Sequence, residues 1–112
     1  MSKVVAEIMV VPVGTGSTAL SEYVAEAIRA VERAAEEGRV KYRVTPTATV
    51  VEGEADEVWR VLREVHEAAF SGGVRRVVTM IKVDDRRDVE HGMQRKLNAL
   101  RERGIKLEGG EG

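Results

Sequence analysis

Three patterns in the 112 residues predict an α+β fold, a four-stranded antiparallel sheet with helices on one face. Four segments are rich in Val, Ile and Thr, which suit a pleated sheet. Two longer segments repeat apolar residues at helical spacing. Clusters of glycine and proline separate the segments, giving the order βαββαβ with one further helix at the end.

The first strand is Lys3–Val13, nearly all Val, Ile, Met and Ala, with Pro12, Gly14 and Gly16 as its stop. Alternation places Val4, Ala6, Ile8 and Val10 on one face and Val5, Glu7, Met9 and Val11 on the other. Both faces are apolar, so both need a cover, and in so short a chain one cover is expected to be another subunit. After the loop Gly14-Thr15-Gly16-Ser17-Thr18, residues Leu20, Val24, Ile28 and Val31 form a helical stripe. Ser17 or Thr18 is the expected cap and Gly38 the expected end. Val40–Thr45 and Ala48–Glu52 read as two short strands joined by a Pro46-Thr47 turn.

Glu54–Phe70 is the second helix. Glu54, Asp56 and Glu57 favour its N-terminus electrostatically, and Val58, Leu62, Val65 and Ala69 form its stripe. Gly72 and Gly73 end it. Val74–Val83 is the last strand, with Val77, Thr79, Ile81 and Val83 on one side. Val89, Met93, Leu97 and Leu100 supply a third stripe, with Asp88 as its expected cap. The order is that of the split βαβ, or ferredoxin-like, arrangement, which leaves the sheet's second face open. Residues 1–104 are read as one domain that includes the C-terminal helix, and 105–112 as a flexible polar tail. Large apolar patches are rare on monomers, so the open face predicts sheet-to-sheet or edge packing between copies.

Composition narrows the function. A chain of 12.3 kDa, 43% hydrophobic and 33% charged, is an ordinary globule. The apolar run Ile8 to Val13 is far shorter than the roughly 20 residues of a membrane span. There is no cysteine, which removes disulfides and thiol chemistry. No signal-peptide pattern follows Met1, so the expected location is the cytoplasm. The 18 basic and 19 acidic residues give a net charge of −1, and neither nucleic acid nor an anionic membrane is an expected partner. The charge is uneven: residues 1–72 hold 8 bases and 12 acids, residues 73–112 hold 10 and 7. That asymmetry suits contacts between subunits.

Several residues carry candidate chemistry. The loop from Gly14 to Thr18 lies between a strand and a helix, where backbone N–H groups can hold an anion. It lacks both the third glycine of a dinucleotide fingerprint and the Gly-Lys-Ser/Thr ending of a phosphate loop, so a plain capped turn is the alternative. Glu7 is a carboxylate within an apolar strand and needs a partner: Arg43, Lys41, an arginine of another subunit, or a donor group on a ligand. Thr47, Thr49 and Glu52 fall along one segment. Hydroxyls and a carboxylate there suit a heterocycle with an amino group, although threonine is also ordinary strand chemistry. In Asp84-Asp85-Arg86-Arg87-Asp88 the arginines neutralise the acids, so no metal is expected. His66 and His91 have no nucleophile partner. Trp59 lies off its helix stripe and suits a subunit interface or a stacked ligand.

Taken together, Ala6-Glu7-Ile8, Val11-Pro12-Val13-Gly14-Thr15-Gly16, Ser21-Glu22-Tyr23-Val24, Thr45 to Glu54, His66-Glu67, Gly73 to Val77 and Ile81 to Asp88 resemble the small thiamine-binding protein family. The likeness runs from Val4 to Leu100. It implies a ferredoxin-like fold, dimers and commonly tetramers, and non-catalytic binding of thiamine or its hydroxymethylpyrimidine moiety. In relatives a Met-Gly-Thr stands where this chain has Thr47-Ala48-Thr49. The resemblance gives Glu7 or Glu52 and the Thr47 or Thr49 hydroxyls the pyrimidine edge. Tyr23 or Trp59 would face the thiazolium, and the Gly14 to Thr18 loop, through Thr15, would form a second wall together with Ser21. The expected protein is thus a cytoplasmic homo-oligomer, dimer or homotetramer, that binds a small molecule, is not an enzyme and needs no cofactor. The alternatives are a ligand-free homo-oligomeric interaction scaffold and an acid–base enzyme using Glu7 or Asp84 and Asp85.

Overall fold

The structure is a computed structural model and describes residues 3–110, so Glu111 and Gly112 of the expected tail lie outside the described residues. The elements are β1 (Lys3–Val13), α1 (Ser21–Glu36), β2 (Lys41–Val44), β3 (Thr49–Glu54), α2 (Ala55–Ala68), β4 (Arg76–Asp84) and α3 (Met93–Glu102). A short 3-10 turn, Ser71–Gly73, precedes β4. The strands lie in the order β2-β3-β1-β4, every neighbour antiparallel. This is the ferredoxin-like α+β fold with a C-terminal helix.

The helix-side core follows from the alternation in β1. Val4, Ala6, Ile8 and Val10, joined by Val51 of β3, face α1 and α2. Ala27, Ala30, Val31 and Ala34 of α1 meet Val58, Val61, Leu62 and Val65 of α2 above them. The alanines present little bulk, which lets α1 come close to its neighbours. On the opposite face, register aligns Val5 and Glu7 of β1 with Glu52 and Val50 of β3 and with Asp84 and Lys82 of β4. The chain itself covers part of this face with α3. Val78 and Met80 of β4 remain 43% and 47% exposed.

Two expected caps are corrected. Leu20, not Ser17 or Thr18, holds the N-cap of α1, and the Ser17 hydroxyl instead accepts the Ala19 N–H at 3.0 Å. Asp88 does not open α3. It pairs with Arg86 at 2.6 Å, while Arg87 pairs with Asp85 at 2.8 Å, so this charged run satisfies itself in a turn and the helix starts only at Met93. Val89 therefore lies before the helix rather than on its stripe. Gly38 does end α1 as expected, with φ +76° and its N–H donated to Ala35 O at 2.9 Å.

The return from α1 to β2 is fixed by Arg39. Its guanidinium donates to Glu57 at 2.7 Å, to Glu64 at 3.1 Å and to Glu37 at 3.1 Å, tying the connection to α2. Gly53 of β3 lies beneath it, where a Cβ would stand 3.1 Å from the Arg39 carbonyl oxygen. The hydrogen bond from Arg39 holds the Glu57 carboxyl below its ordinary range, and the Arg39 guanidinium is raised in turn. A carboxyl lowered in the folded state stabilises the fold above its unfolded pKa and loses that contribution as pH falls through the folded value. Arg39→Met is therefore expected to lower the urea midpoint at neutral pH, with the difference from wild type shrinking below pH 4 to 5. An equal difference at pH 3 and pH 7 would contradict this account.

Candidate functional site

β1 has eleven residues and β3 has six, and their pairing stops at Ile8 opposite Thr49. From Met9 onward β1 pairs only with β4. Its other edge, with unpaired backbone donors and acceptors, is open there. Pro12 sits in this stretch, where one neighbouring strand is missing. The β2–β3 turn and the start of α1 flank the open edge and form a half-open cavity of about 290 Å³. Its walls are Met9 to Val11, Leu20, Val24 and Ile28, and the turn residues Thr45 to Thr49. No charged side chain lines it.

Three hydrogen bonds between Thr45 and Ala48 close the turn. The Thr45 N–H and hydroxyl both donate to Ala48 O, at 2.8 and 2.7 Å, and the Ala48 N–H donates to the Thr45 hydroxyl oxygen at 3.1 Å. No described non-glycine residue has a positive φ, so Ala48 occupies its position without backbone strain. Thr49 follows at the mouth of β3. Its side chain lies on the helix side of the sheet with Val51, only 6% of the residue is exposed, and it lines the cavity.

The sequence-predicted residues fall into three groups. Thr47 and Thr49 line this cavity. Glu7 and Glu52 lie on the opposite face of the sheet, under α3, because an odd separation along a strand reverses the side. Glu52 accepts the Met93 N–H at 2.6 Å and so caps α3, and a Cβ at Gly92 would stand 2.9 Å from the same carboxylate oxygen. Glu7 is paired with Lys82 at 3.7 Å rather than with Arg43 or Lys41. The third group surrounds the start of α1. The Thr15 hydroxyl donates to Ser17 O at 3.0 Å and accepts the Ser17 N–H at 3.3 Å, which spends it on its own loop. Ser21 is exposed at the first residue of the helix. Tyr23 packs toward the 3-10 turn, where a Cβ on Gly72 would lie 3.4 Å from its ring.

Leu20, Val24 and Ile28 of the expected helical stripe are half-buried and line the cavity. Trp59 stands exposed on α2, away from this cavity. His66 Nδ1 is 2.6 Å from the Thr79 hydroxyl, and its ring meets Phe70 edge-on. His91 is buried, with Nε2 3.3 Å from Asp84 Oδ1 but outside hydrogen-bonding geometry. Asp84 itself is held below the ordinary carboxylate range, chiefly by its hydrogen bond to Lys96 at 2.5 Å.

The structure thus combines a ferredoxin-like sheet with a half-open cavity at one strand end that no charged side chain lines. The profile of a family described as thiamine-binding protein matches residues 6–101. The chain belongs to this thiamine-binding protein family. It is similar to the UPF0045 protein YqgV of Bacillus subtilis, at 36% identity over 96 residues, covering 86% of this chain and 92% of the relative. Among solved structures, it is similar to hypothetical protein MJ1052 of Methanocaldococcus jannaschii. That likeness has a TM-score of 0.78 at 36% identity and covers 91% of this chain and 99% of the other. A Thermotoga maritima protein assigned provisionally to thiamine biosynthesis or salvage superposes with a TM-score of 0.68 at 26% identity, covering 87% and 97%.

Proposed function

We propose that the cavity at the open edge of β1 binds the pyrimidine portion of thiamine, or free hydroxymethylpyrimidine, and leaves it unchanged. Thr49 carries this reading: a threonine buried on the wall of an uncharged cavity, beside a strand edge whose backbone groups are unpaired. An aminopyrimidine offers an amino donor and ring-nitrogen acceptors along its edge. A strand edge offers the complement, and a hydroxyl both donates and accepts. Leu20, Val24 and Ile28 from α1 and Pro46 with Ala48 from the turn provide apolar surfaces for the ring faces. A volume near 290 Å³ is at the small end for ligand sites, which favours one ring over a larger molecule.

The absence of a lining carboxylate means that the thiazolium cation gains no charge partner within the cavity. Recognition then rests on the pyrimidine. The lining also offers no Asp, Glu, His, Lys or Cys to move a proton or attack a bond, which supports a carrier, sequestering or sensing role over catalysis. We place this role in the cytoplasm. No described helix is long and apolar enough to cross a membrane.

The same reading includes self-association through β4, an edge strand with Val78, Met80 and Ile81 exposed. Antiparallel pairing of two copies about Met80 sets Arg76 of one opposite Asp84 of the other and joins two sheets into one. Opposite charges at both ends then fix the register.

Calorimetric titration is expected to show thiamine and hydroxymethylpyrimidine binding within about tenfold of each other. Thr49→Val is expected to weaken both by about 1 kcal/mol, roughly fivefold. A folded protein that gives no heat with either compound would favour the ligand-free scaffold. Sedimentation is expected to show a dimer or tetramer at micromolar concentration, shifted toward monomer by Met80→Arg, which places like charges opposite each other. A wild-type monomer would remove the β4 contact.

A further inference from the structure

The opposite face of the sheet holds a second cavity, of about 360 Å³, between β1, β3, β4 and the overlying α3. It lies across the sheet from the first cavity, and Thr45 is the one lining residue they have in common. No residue of α3 is buried. Polar contacts hold the helix: Glu52 on the Met93 N–H, Asp84 on Lys96 at 2.5 Å, and Gln94 accepting from Arg43 at 3.1 Å. Space therefore remains beneath it, floored by Val5 and Val50 and roofed by Met93 and Leu97.

Among the lining side chains cations outnumber carboxylates by one, and the nearby Glu52 carboxylate is spent on the Met93 N–H. Three cations line the slot, Arg43, Lys82 and Lys96, against two carboxylates, Glu7 and Asp84. Asp84 is committed to Lys96 and lies beside His91. Glu7 has only the long 3.7 Å contact to Lys82. Arg43 has a neutral partner, the Gln94 amide oxygen, and no carboxylate within 4.0 Å among the described residues. An exposed guanidinium that lines a slot with apolar walls, and whose one side-chain partner among the described residues is a neutral amide, suits an anionic group attached to an apolar body.

We propose that the cleft beneath α3 is a second binding site, for a small organic anion with a flat apolar body, with Arg43 and Lys82 on the anionic group and α3 as the lid. The apolar body lies between Val50 and Leu97, and the anion replaces Gln94 on Arg43. Binding trades a neutral contact for a charge-assisted one and releases Gln94, while Glu52 on the Met93 N–H and Asp84 on Lys96 still hold α3.

The probe is 8-anilinonaphthalene-1-sulfonate, followed by fluorescence and by amide NMR shifts of the full chain. One saturable site per chain is expected, with shifts at Val5, Glu7, Val50 and the α3 amides. Arg43→Gln and Lys82→Gln are each expected to weaken it about tenfold, and neutral N-phenyl-1-naphthylamine is expected to bind more weakly by a similar factor. Leu97→Trp fills the slot without touching the charges and is expected to abolish binding, which keeps the test decisive if a charge variant unfolds. Unchanged affinity in folded variants, equal binding of the neutral probe, or shifts confined to Val78 and Met80 would overturn the proposal. So would binding that disappears as the protein self-associates, since a second copy would then occupy the cleft. Hydroxymethylpyrimidine titrations of Leu97→Trp are expected to match wild type, so failure here leaves the first cavity's reading separately testable.

Discussion

The alternation of side chains along β1 constrains everything else in this molecule. A strand must turn successive residues to opposite faces, so an apolar strand in the middle of a sheet needs two covers. Val4, Ala6, Ile8 and Val10 meet α1 and α2, while Val5 and Glu7 meet the cleft under α3. Because β1 is longer than β3, its far half also lacks one neighbour. The helix-side cavity forms where that edge is left open. The two cavities are thus consequences of one strand, one from its length and the other from its second face.

The electrostatics divide along the same sheet. The helix-side cavity has no ionisable lining, whereas the α3 side gathers Glu7, Arg43, Lys82, Asp84 and Lys96. An uncharged lining keeps a neutral heterocycle's hydrogen bonds from competing with nearby salt bridges. The charged cleft holds its helix with polar contacts at the surface, which are individually weak. The packing differs in the same way: α1 and α2 share a core with β1, and α3 has no buried residue.

The fold was legible because its signals are local and periodic. The stripe Val58, Leu62, Val65 in α2 and the alternation in β1 each need only a few neighbouring residues to read. The cap of α3 was not legible, since the residue that supplies it, Glu52, is 41 positions away from Met93. Asp88 offered a nearer cap in sequence but found Arg86 first. The grouping of the site shows both sides of the matter. Thr49 and Glu52 are an odd number of residues apart, so their separation onto opposite faces was implicit in the strand itself. That Glu7 would find Lys82 depended on β4 lying beside β1, a long-range pairing that local patterns do not carry. The half-buried state of Val24 and Ile28 was likewise hidden, because a helical stripe looks the same whether it fills a core or lines a cavity.

The central claim is that the pyrimidine is held at the open edge of β1 on the helix side of the sheet. An amide NMR shift map of the full chain, titrated with hydroxymethylpyrimidine, tests it most directly. The account expects the largest changes at Met9, Val10 and Val11, at Thr47 to Thr49, and at Leu20 and Val24, with Glu7, Glu52 and α3 little affected. Changes centred on Glu7, Glu52 and the α3 amides, with Thr49 unmoved, would place the ligand on the other face and contradict it.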